Sequence, residues 1–577
     1  MSDLLDLFLK PTSPKQRRYE AVRAIIVEKL TAEEAGKRFN YSPHSLYTFI
    51  RDIKAGKLSL FPDDINTTEQ PRRTSADVQE KILKLRKNKY SSYDIVHYLQ
   101  EEKGYHLSVR TVERILNDFG LTKLPRRTRK ELGLTNKEQT IPEKALALDF
   151  GKLEPFTVDC PVAGVFCFIP YIIDSQLLSI VEQCQLPSSS VIQSTQAALS
   201  MLMLKLIGNE RLSHIEAYNH EPALGLFAGL SVLPKQTYMT TYSCRTSEEM
   251  VLSLQTTLLE RFQKWCGQLY QSPYINLDFH SIPHYGEESR MEKVWVGAKH
   301  QTHKGANTIF AQDSTSNVIM YTRADILRKD EANEILAFVK YWKNIRKNIN
   351  ETLVFDCKLT SYKVLNQLSL DNVKFITLRK RFNKLIAHAQ QIEDWKSITI
   401  PIPKRKHKQA KVYEETVQLA DGFQPMRQII IKDHGRENPT FIITNDFELS
   451  IKDIMIVYAK RWRIEQKLGE MVGFFNLNAL SSPLMIRIHF DILWTMIADT
   501  LYRRFAQDLP RFEHEQAKSI FKRFINFPGK VQYDGQEFVV KIRKRAHTPV
   551  LLKIKNLTDG VKVPWLDNRL LRIQWTA

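Results

Sequence analysis

The order of short apolar runs between residues 274 and 378 constrains the fold of this chain more than any other feature. Alternating and β-branched runs that are separated by helical patterns are typical of a mixed sheet with flanking helices. The predicted elements are strands over 274–279 and twice within 303–324, a helix over 329–346, a strand over 352–356, a helix over 361–368 and a strand over 374–378. With a later helix, this order predicts an RNase-H-like fold.

Two of the predicted strands carry one carboxylate each. Asp278 lies on the first strand and Asp356 ends the fourth. Burying a lone carboxylate is costly unless positive charge lies nearby. Each residue also has a simpler interpretation, since Asp278 can begin a turn with His280 and Asp356 can cap the loop that follows it.

A third candidate group lies in the sequence Tyr-Ala-Lys-Arg-Trp-Arg-Ile-Glu, from Tyr458 to Glu465. Ser450 is a suitable N-cap, and no Gly or Pro follows before Gly469, so the stretch is predicted to lie in the middle of a helix. Tyr458, Arg461 and Glu465 then share one stripe of the helix surface. The alternative is a solvated Arg/Glu pair.

Taken together, Asp278, Asp356 and Glu465 predict a site for two Mg²⁺ or Mn²⁺ ions, because hard divalent cations prefer carboxylate oxygens and a pair of them suits phosphodiester chemistry. His280 and His284 do not predict a zinc site, since no Cys or HExxH pattern accompanies them. No Walker A motif, GxGxxG or nucleophile elbow occurs in the sequence, so ATP is not expected.

The first 125 residues contain the same three-helix pattern twice, which predicts two helix-turn-helix units. The third helices start at Ser42 and Ser108, and their core faces are predicted to carry Leu46, Phe49, Ile50 and Ile53, and Val112, Ile115, Leu116 and Phe119. The outward residues predicted to contact DNA are His44, Ser45, Thr48 and Arg51 in the first unit and Arg110, Thr111 and Arg114 in the second. Two small bundles that bind protein are the alternative.

The net charge of +20 favours a polyanion as partner, and the absence of a long basic amphipathic helix favours nucleic acid over membrane. A basic linker over 123–130 includes Arg126 and Arg127, which either track phosphates or form a solvated tether. No apolar run reaches the length of a membrane span, and no signal-peptide pattern opens the chain, so a cytoplasmic protein without membrane contact is expected. The six scattered cysteines are expected to be reduced and mostly buried.

The remaining segments complete a multidomain prediction. Residues 142–270 are mostly helical with a loop over 234–247, and the C-terminal segment has strands over 530–533, 537–542 and 550–554. The predicted domains are helix-turn-helix 1 over 1–60, helix-turn-helix 2 plus basic linker over 61–130, a helical domain over 131–270, the RNase-H-like core over 271–394 and 446–515, a β-rich insertion over 395–445, and a C-terminal β segment over 516–577.

Four stretches carry a resemblance to a known family: 277–286, 354–356, 441–446 and Tyr458-x-x-Arg461-x-x-x-Glu465. They resemble the DDE transposases of bacterial insertion sequences, in particular a group with an RNase-H-like core, a β-rich insertion and a Tyr-Arg-Glu-Lys signature. The resemblance covers residues 271–515. It implies that Asp278, Asp356 and Glu465 bind the catalytic metals, and that Tyr458 and Arg461 hold the terminal phosphates of the transposon strand.

One position departs from that signature, because Val472 stands where the group has Lys. A DNA-hairpin intermediate is therefore in question, and Lys460, Arg463 and Lys467 lie off the stripe. Trp395, in the insertion, is either a core aromatic or a residue that stacks on an extruded base.

The resemblance implies a transposase that binds terminal inverted repeats of double-stranded DNA, then cleaves and joins strands in a metal-dependent reaction. It also implies a homodimer or larger synaptic complex, and a nucleoid-associated bacterial protein. Two alternatives stay open: a domesticated, non-catalytic DNA-binding regulator, and an RNase-H-like nuclease or resolvase.

Overall fold

The structure is a computed structural model that describes residues 14–56, 58, 60, 74–88, 90–121, 124, 143–284, 291–296, 301–324, 326–359, 361–399, 409–479 and 485–577. The linker residues Arg126 and Arg127 lie outside the described residues. The chain divides into two compact units, Met1–Asn136 and Lys137–Ala577.

The first unit contains the two predicted three-helix patterns. Its described helices are α1 Pro14–Ile26, α2 Ala32–Phe39, α3 Pro43–Lys54, α4 Ala76–Lys87, α5 Ser92–Lys103 and α6 Val109–Asp118. Thr31 and Glu34 form the predicted capping box, and Ser42 and Ser108 cap α3 and α6 through their side chains. Each pattern has its own small apolar core.

The prediction that Phe119 belongs to the core of the first unit is wrong. Phe119 is 55% exposed, whereas Val112, Ile115 and Leu116 of the same helix are buried. The helix ends at Asp118 and Gly120 has a positive φ, so Phe119 lies where the chain already turns away from the core.

The second unit begins with a mostly helical segment, as predicted. Its elements are β1 Phe156–Cys160, α7 Ile169–Asp174, α8 Leu177–Gln183, α9 Ser194–Leu206, α10 Pro222–Phe227, α11 Gln236–Tyr242 and α12 Glu248–Trp265. Helix α11 lies inside the loop predicted over 234–247, which is a correction: Met239 and Tyr242 are buried, so tertiary packing stabilises this short helix.

A ten-stranded mixed sheet follows. Its strands are β2 Tyr274–Pro283, β3 Lys293–Val296, β4 Gln301–Asp313, β5 Ile319–Arg323, β6 Thr352–Phe355, β7 Phe375–Leu378, β8 Lys396–Thr399, β9 Gln409–Val417, β10 Met426–Lys432 and β11 Thr440–Thr444. The connecting helices are α13 Glu334–Arg346, α14 Tyr362–Leu370 and α15 Asn383–Gln390. The predicted elements from 274 to 378 are all present, and only β3 was missed.

The order of strands places β2 at the centre of the predicted core. The sheet runs β3-β4-β2-β6-β7-β11-β10-β9-β8, with β5 also paired to β4. Strand β2 is antiparallel to β4 and parallel to β6, and β6 is parallel to β7. The β-rich stretch over 395–445 extends the same sheet, because β11 pairs with β7.

The helix predicted across Tyr458–Glu465 is interrupted, which is a correction. Helix α16 covers Ile451–Lys460 and α17 covers Arg463–Gly473, and a turn lies between them. The backbone N–H of Arg461 bonds to the carbonyl of Tyr458 three residues earlier, so the chain tightens there without Gly or Pro. The tightened turn coincides with contacts that Arg461 makes to another strand, as described below.

The C-terminal part forms a second sheet. Its elements are α18 Met485–Gln507, α19 Ala517–Ile520, β12 Gly529–Tyr533, β13 Glu537–Arg543, α20 Thr548–Leu551, α21 Lys555–Thr558, β14 Val561–Val563 and β15 Arg569–Thr576. The strand predicted over 550–554 is wrong, because Pro549 starts a short helix there. The sheet order is β1-β12-β13-β15-β14, so the early strand β1 completes it.

Two further expectations concern the whole chain. Among the described residues, no single helix is long and apolar enough to cross a membrane. Two consecutive helical segments, Ala163–Asp174 and Leu177–Gln183, are long and apolar enough only when they are counted together, and the angle between them is 60°. All six cysteines are free, and four of them are buried.

Candidate active site

Asp278 lies on β2, and Asp356 directly follows the end of the neighbouring strand β6. In the parallel pair β2 and β6, Leu277 is opposite Phe355. Extending this register by one residue places Asp278 next to Asp356. Adjacent strands are about 4.8 Å apart, and the Asp356 carboxylate is close enough to add to the rise in the pKa of Asp278.

The hydrogen bonds of Asp356 agree with its simpler interpretation as a loop cap, whereas those of Asp278 do not agree with a turn. Asp356 Oδ1 accepts a hydrogen bond from the backbone N–H of Cys357 at 2.6 Å, so it does hold the start of its loop. Asp278 does not begin a turn, because β2 continues to Pro283 and His280 is bonded to Asn478 instead. Asp278 Oδ1 accepts only the N–H of the next residue on its strand, at 2.9 Å.

Arg461 connects the strand carboxylate to the helix carboxylate. Its Nη1 donates to Asp278 Oδ2 at 3.0 Å and its Nη2 donates to Glu465 Oε1 at 2.8 Å. The guanidinium carbon lies 5.8 Å from the centre of the Tyr458 ring. Only 13% of the Arg461 side chain is exposed, so the pair with Glu465 is not a solvated surface pair.

The elements that carry these residues are anchored independently. Ser450 caps α16 together with Asp453, as predicted. Helix α17 packs against β2, and Arg463 Nη1 donates to the carbonyl of Ser314 at 3.0 Å. These contacts fix the start of α17 beside the central strand, which brings Glu465 towards the two aspartates.

The electrostatics of the site show an excess of negative charge. Burial raises the pKa of Asp278 to about 6; Arg461 opposes this, and the carboxylates of Glu465 and Asp356 add to it. Burial also raises the pKa of Tyr458, so its phenol stays protonated and can donate a hydrogen bond. The guanidinium of Arg461 thus bonds to two of the three carboxylates, Asp278 and Glu465.

The donor set suits a hard divalent cation in its chemistry, but it is not assembled as a closed metal site. Among the described residues, no three Asp, Glu, His or Cys side chains are placed closely enough to hold a metal ion. Arg461 supplies positive charge between Asp278 and Glu465, and its buried Nε has no hydrogen-bond partner. Its guanidinium therefore stands in for a cation at these two oxygens.

A pocket of about 380 Å³ opens beside Asp356, Tyr458 and Arg461. Its other lining includes Arg436 and Trp462, and Trp462 is 51% exposed. Neither residue was a candidate from the sequence. Trp462 could have been predicted, since it lies inside the Tyr458–Glu465 stretch. Arg436 could not, because it lies in the β10–β11 connection and reaches the pocket only through the pairing of the strands.

A second charge cluster lies deeper on α17. Lys467 donates to Glu470 Oε2 at 3.1 Å and to Asp499, and Arg503 Nη2 donates to Glu470 Oε2 at 2.8 Å. Lys467 is 1% exposed in its side chain, so it cannot reach the outer carboxylates. Val472 packs against the main apolar core, as its aliphatic side chain predicts.

Trp395 is held within the protein. Its ring packs against a small apolar cluster, its Nε1 donates to the carbonyl of Ile392 at 2.6 Å, and the ammonium of Lys432 lies 3.8 Å from the ring centre. These contacts favour the core interpretation, and base stacking by Trp395 stays a prediction.

The predicted DNA-contact residues of the first unit lie on the outer faces of the third helices. His44 and Arg51 on α3 and Arg110 and Arg114 on α6 are exposed. Ser45, Thr48 and Thr111 are half-buried.

No protein-family model matches the chain, and no curated protein sequence matches it significantly. Among solved structures, the piggyBac transposase synaptic complex with hairpin DNA aligns at 10% identity and a TM-score of 0.32, over 64% of this chain and 81% of that chain. The Mos1 transposase paired-end complex with the left transposon end aligns at 10% identity and a TM-score of 0.14, over 52% of this chain and 77% of that one. These neighbours are transposases bound to DNA, but likenesses this loose determine neither the fold nor the function of this chain.

Proposed function

We propose that this protein is a DDE transposase of a bacterial insertion sequence, built on an RNase-H-like core. The observation that carries the proposal is the placement of Asp278 beside Asp356 on the central parallel strands, with Arg461 joining Asp278 to Glu465. These three carboxylates supply the type of donor that metal-dependent phosphodiester cleavage requires, and they would have to move closer together to share the ions.

Asp278, Asp356 and Glu465 would bind two Mg²⁺ or Mn²⁺ ions in each active site. When bound, the ions would supply positive charge to the attacking and leaving oxygens of the phosphodiester. Cleavage by water would free a 3′-OH, and this hydroxyl would attack target DNA in the second step. The raised pKa of Asp278 means that this carboxyl must lose a proton before it can act as a ligand, so metal binding should weaken below pH 6.

Arg461 would have two successive partners. In the free protein its guanidinium neutralises Asp278 and Glu465 at 3.0 and 2.8 Å. The same fork of donors matches a phosphate, and the neighbouring Tyr458 phenol is a second donor. We therefore expect Arg461 to move from the carboxylates to the DNA backbone when DNA and metal bind, with Tyr458 holding the same terminal phosphate.

The two helix-turn-helix units would bind the terminal inverted repeats of the element. Arg126 and Arg127 would contact phosphates between them. Since two ends must be joined in one reaction, a homodimer or larger synaptic complex is required. The reaction needs no ATP, and a bacterial protein of this kind would act at the nucleoid.

The experiment that tests the proposal uses the full chain and a duplex bearing the inverted repeats that flank its gene. With Mg²⁺, the duplex should be cut at the element end to leave a 3′-OH, which then appears covalently joined to target DNA. Sequence-specific binding without cleavage would instead identify a non-catalytic DNA-binding regulator. Cleavage of branched DNA without end specificity would identify a nuclease or resolvase.

A further inference from the structure

The two helix-turn-helix units present different chemistry on their third helices. This difference bears on how DNA sequence is read, and the inference rests on the proposed function, in which both units bind duplex DNA. The difference lies on the outer faces of α3 and α6.

Helix α6 presents a row of long polar side chains. Arg110, Glu113, Arg114 and Asn117 are exposed, while Val112, Ile115 and Leu116 face the core. The spacing i, i+3, i+4, i+7 puts the four polar residues on one face. None of the four side chains forms a hydrogen bond or ion pair with another described residue. Within the described part of the chain, a bound partner would therefore displace no existing contact of these four side chains.

Three polar side chains of α3, Ser45, Thr48 and Arg51, form hydrogen bonds within the chain, and the hydroxyl pair of Ser42 and Ser45 has an equivalent in Ser108 and Thr111 of α6. Thr48 Oγ1 donates to the carbonyl of His44 at 3.0 Å, and the hydroxyls of Ser45 and Ser42 lie 2.8 Å apart. Arg51 is bonded to Asp52 at 3.0 Å. The side chain of Arg51 is 72% exposed, and the apolar ring of Tyr47 is exposed beside it, at 63%.

We propose that α6 reads base identity and that α3 contributes mainly sequence-independent contact. Arginine binds guanine O6 and N7 with two parallel hydrogen bonds, and asparagine binds adenine N6 and N7 in the same way. Arg110 and Arg114 are therefore the guanine-reading residues and Asn117 is the adenine-reading residue. On α3, Arg51 and Tyr47 contact phosphate and sugar.

The spacing of the two arginines limits the sequence they read. Four residues of helix advance about 6 Å, and successive base pairs are about 3.4 Å apart. Arg110 and Arg114 thus reach guanines within about two base pairs of each other. Glu113 lies between the two arginines, and its negative charge repels the phosphate backbone. This repulsion favours an orientation in which this face of α6 contacts base edges and not phosphates.

The test selects binding sites for the full chain from random duplexes, for the wild type and for Arg114→Lys. The wild type should select a site with two closely spaced guanines. Arg114→Lys should bind that site about 10- to 100-fold more weakly and lose the preference at one guanine, because a lysine cannot form the paired bonds. Arg110→Lys should lose the other guanine, and each variant's circular dichroism checks its folding.

Arg51→Ala is the matched control on α3. It should weaken binding to all duplexes by a similar factor and reduce the salt dependence, with the selected sequence unchanged. The inference is overturned if Arg110→Lys and Arg114→Lys select the wild-type site, or if Arg51→Ala alone changes it. Mg²⁺-dependent cleavage of end DNA by the wild type tests the proposed function separately, since site selection is measured by binding alone.

Discussion

Helix α17 carries two charge clusters within about one turn of each other, and they are opposite in character. The inner cluster, Lys467, Glu470, Asp499 and Arg503, balances two cations against two carboxylates in a buried position. The backbone N–H of Ala517 also donates to Glu470 at 2.7 Å. The outer cluster, Asp278, Asp356, Glu465 and Arg461, has one cation for three carboxylates.

The difference separates a structural role from a functional one. In the inner cluster burial favours the neutral form of Glu470, yet the cations Lys467 and Arg503 together lower its pKa. Burial raises the pKa of Asp499, the second carboxylate of this cluster, and the same two cations oppose that rise. In the outer cluster burial also raises the pKa of an aspartate, Asp278, to about 6, but here Arg461 opposes the rise alone and the carboxylates of Glu465 and Asp356 add to it. An unbalanced group of carboxylates at the surface of a sheet is one that added cations would stabilise.

The largest expected effect is on catalysis. Glu465→Gln should lower Mg²⁺-dependent cleavage by on the order of 10³-fold or more, since a ligand oxygen loses its charge. Its side chain is 56% exposed, so the free energy of unfolding should stay within about 0.5 kcal/mol of wild type. Lys460→Gln, on an exposed residue of α16, is the control and should cleave normally. Full activity of Glu465→Gln would remove Glu465 from the outer cluster's function.

Substitutions in the inner cluster should lower the free energy of unfolding. Lys467→Met leaves Asp499 and Glu470 without their shared cation in a buried site, which should cost about 3–5 kcal/mol in urea denaturation. The double variant Lys467→Met/Asp499→Leu should recover part of that loss because the unpaired charge is gone. A single variant as stable as the wild type would show that the inner cluster does not hold α17.

Asp278→Asn should stabilise the protein at neutral pH in the absence of divalent ions. The folded pKa of about 6 exceeds the usual 3.8, so the folded chain binds this proton more tightly, and wild-type stability falls as pH rises from about 4 to 6. Asparagine avoids this loss. The gain should be about 1–3 kcal/mol at pH 7.5 and absent at pH 4. If Asp278→Asn were less stable than the wild type by the same amount at pH 4 and pH 7.5, the raised pKa of the buried Asp278 carboxyl would be contradicted.

The smallest expected effect concerns the exchange of Arg461. Arg461→Gln removes the internal cation, so Mn²⁺ should bind the DNA-free protein about tenfold more tightly by calorimetry, equivalent to about 1.4 kcal/mol. Arg463→Gln is the matched control, since Arg463 contacts the carbonyl of Ser314 and bonds to no carboxylate of the described residues. Unchanged or weaker Mn²⁺ binding by Arg461→Gln would mean that the guanidinium does not compete with metal.

The sequence predicted the sheet from 274 to 378 because alternating apolar runs and intervening helices are local patterns. It also located Asp278, Asp356, Arg461 and Glu465, since each lies at a distinctive place within such a pattern. The bonds among them depend on strand register and on the packing of α17, which no local pattern contains.

The errors have the same origin. The turn at Arg461 occurs without Gly or Pro and accompanies contacts to Asp278, 183 residues away. Strand β1 pairs with β12 across more than 360 residues, which periodicity cannot report. The helix at Pro549 is different, because the proline was a local signal that apolar alternation outweighed.

The most direct test of the account compares the wild type with Asp356→Ala on the same labelled end duplex with Mg²⁺, measuring binding and cleavage in one reaction series. Asp356 is far in sequence from the exposed residues of α3 and α6 that are proposed to bind DNA, so binding and cleavage should separate. The account predicts unchanged end binding and no 3′-OH product for the variant. Cleavage by Asp356→Ala at the wild-type rate would contradict the assignment of these carboxylates as the active site.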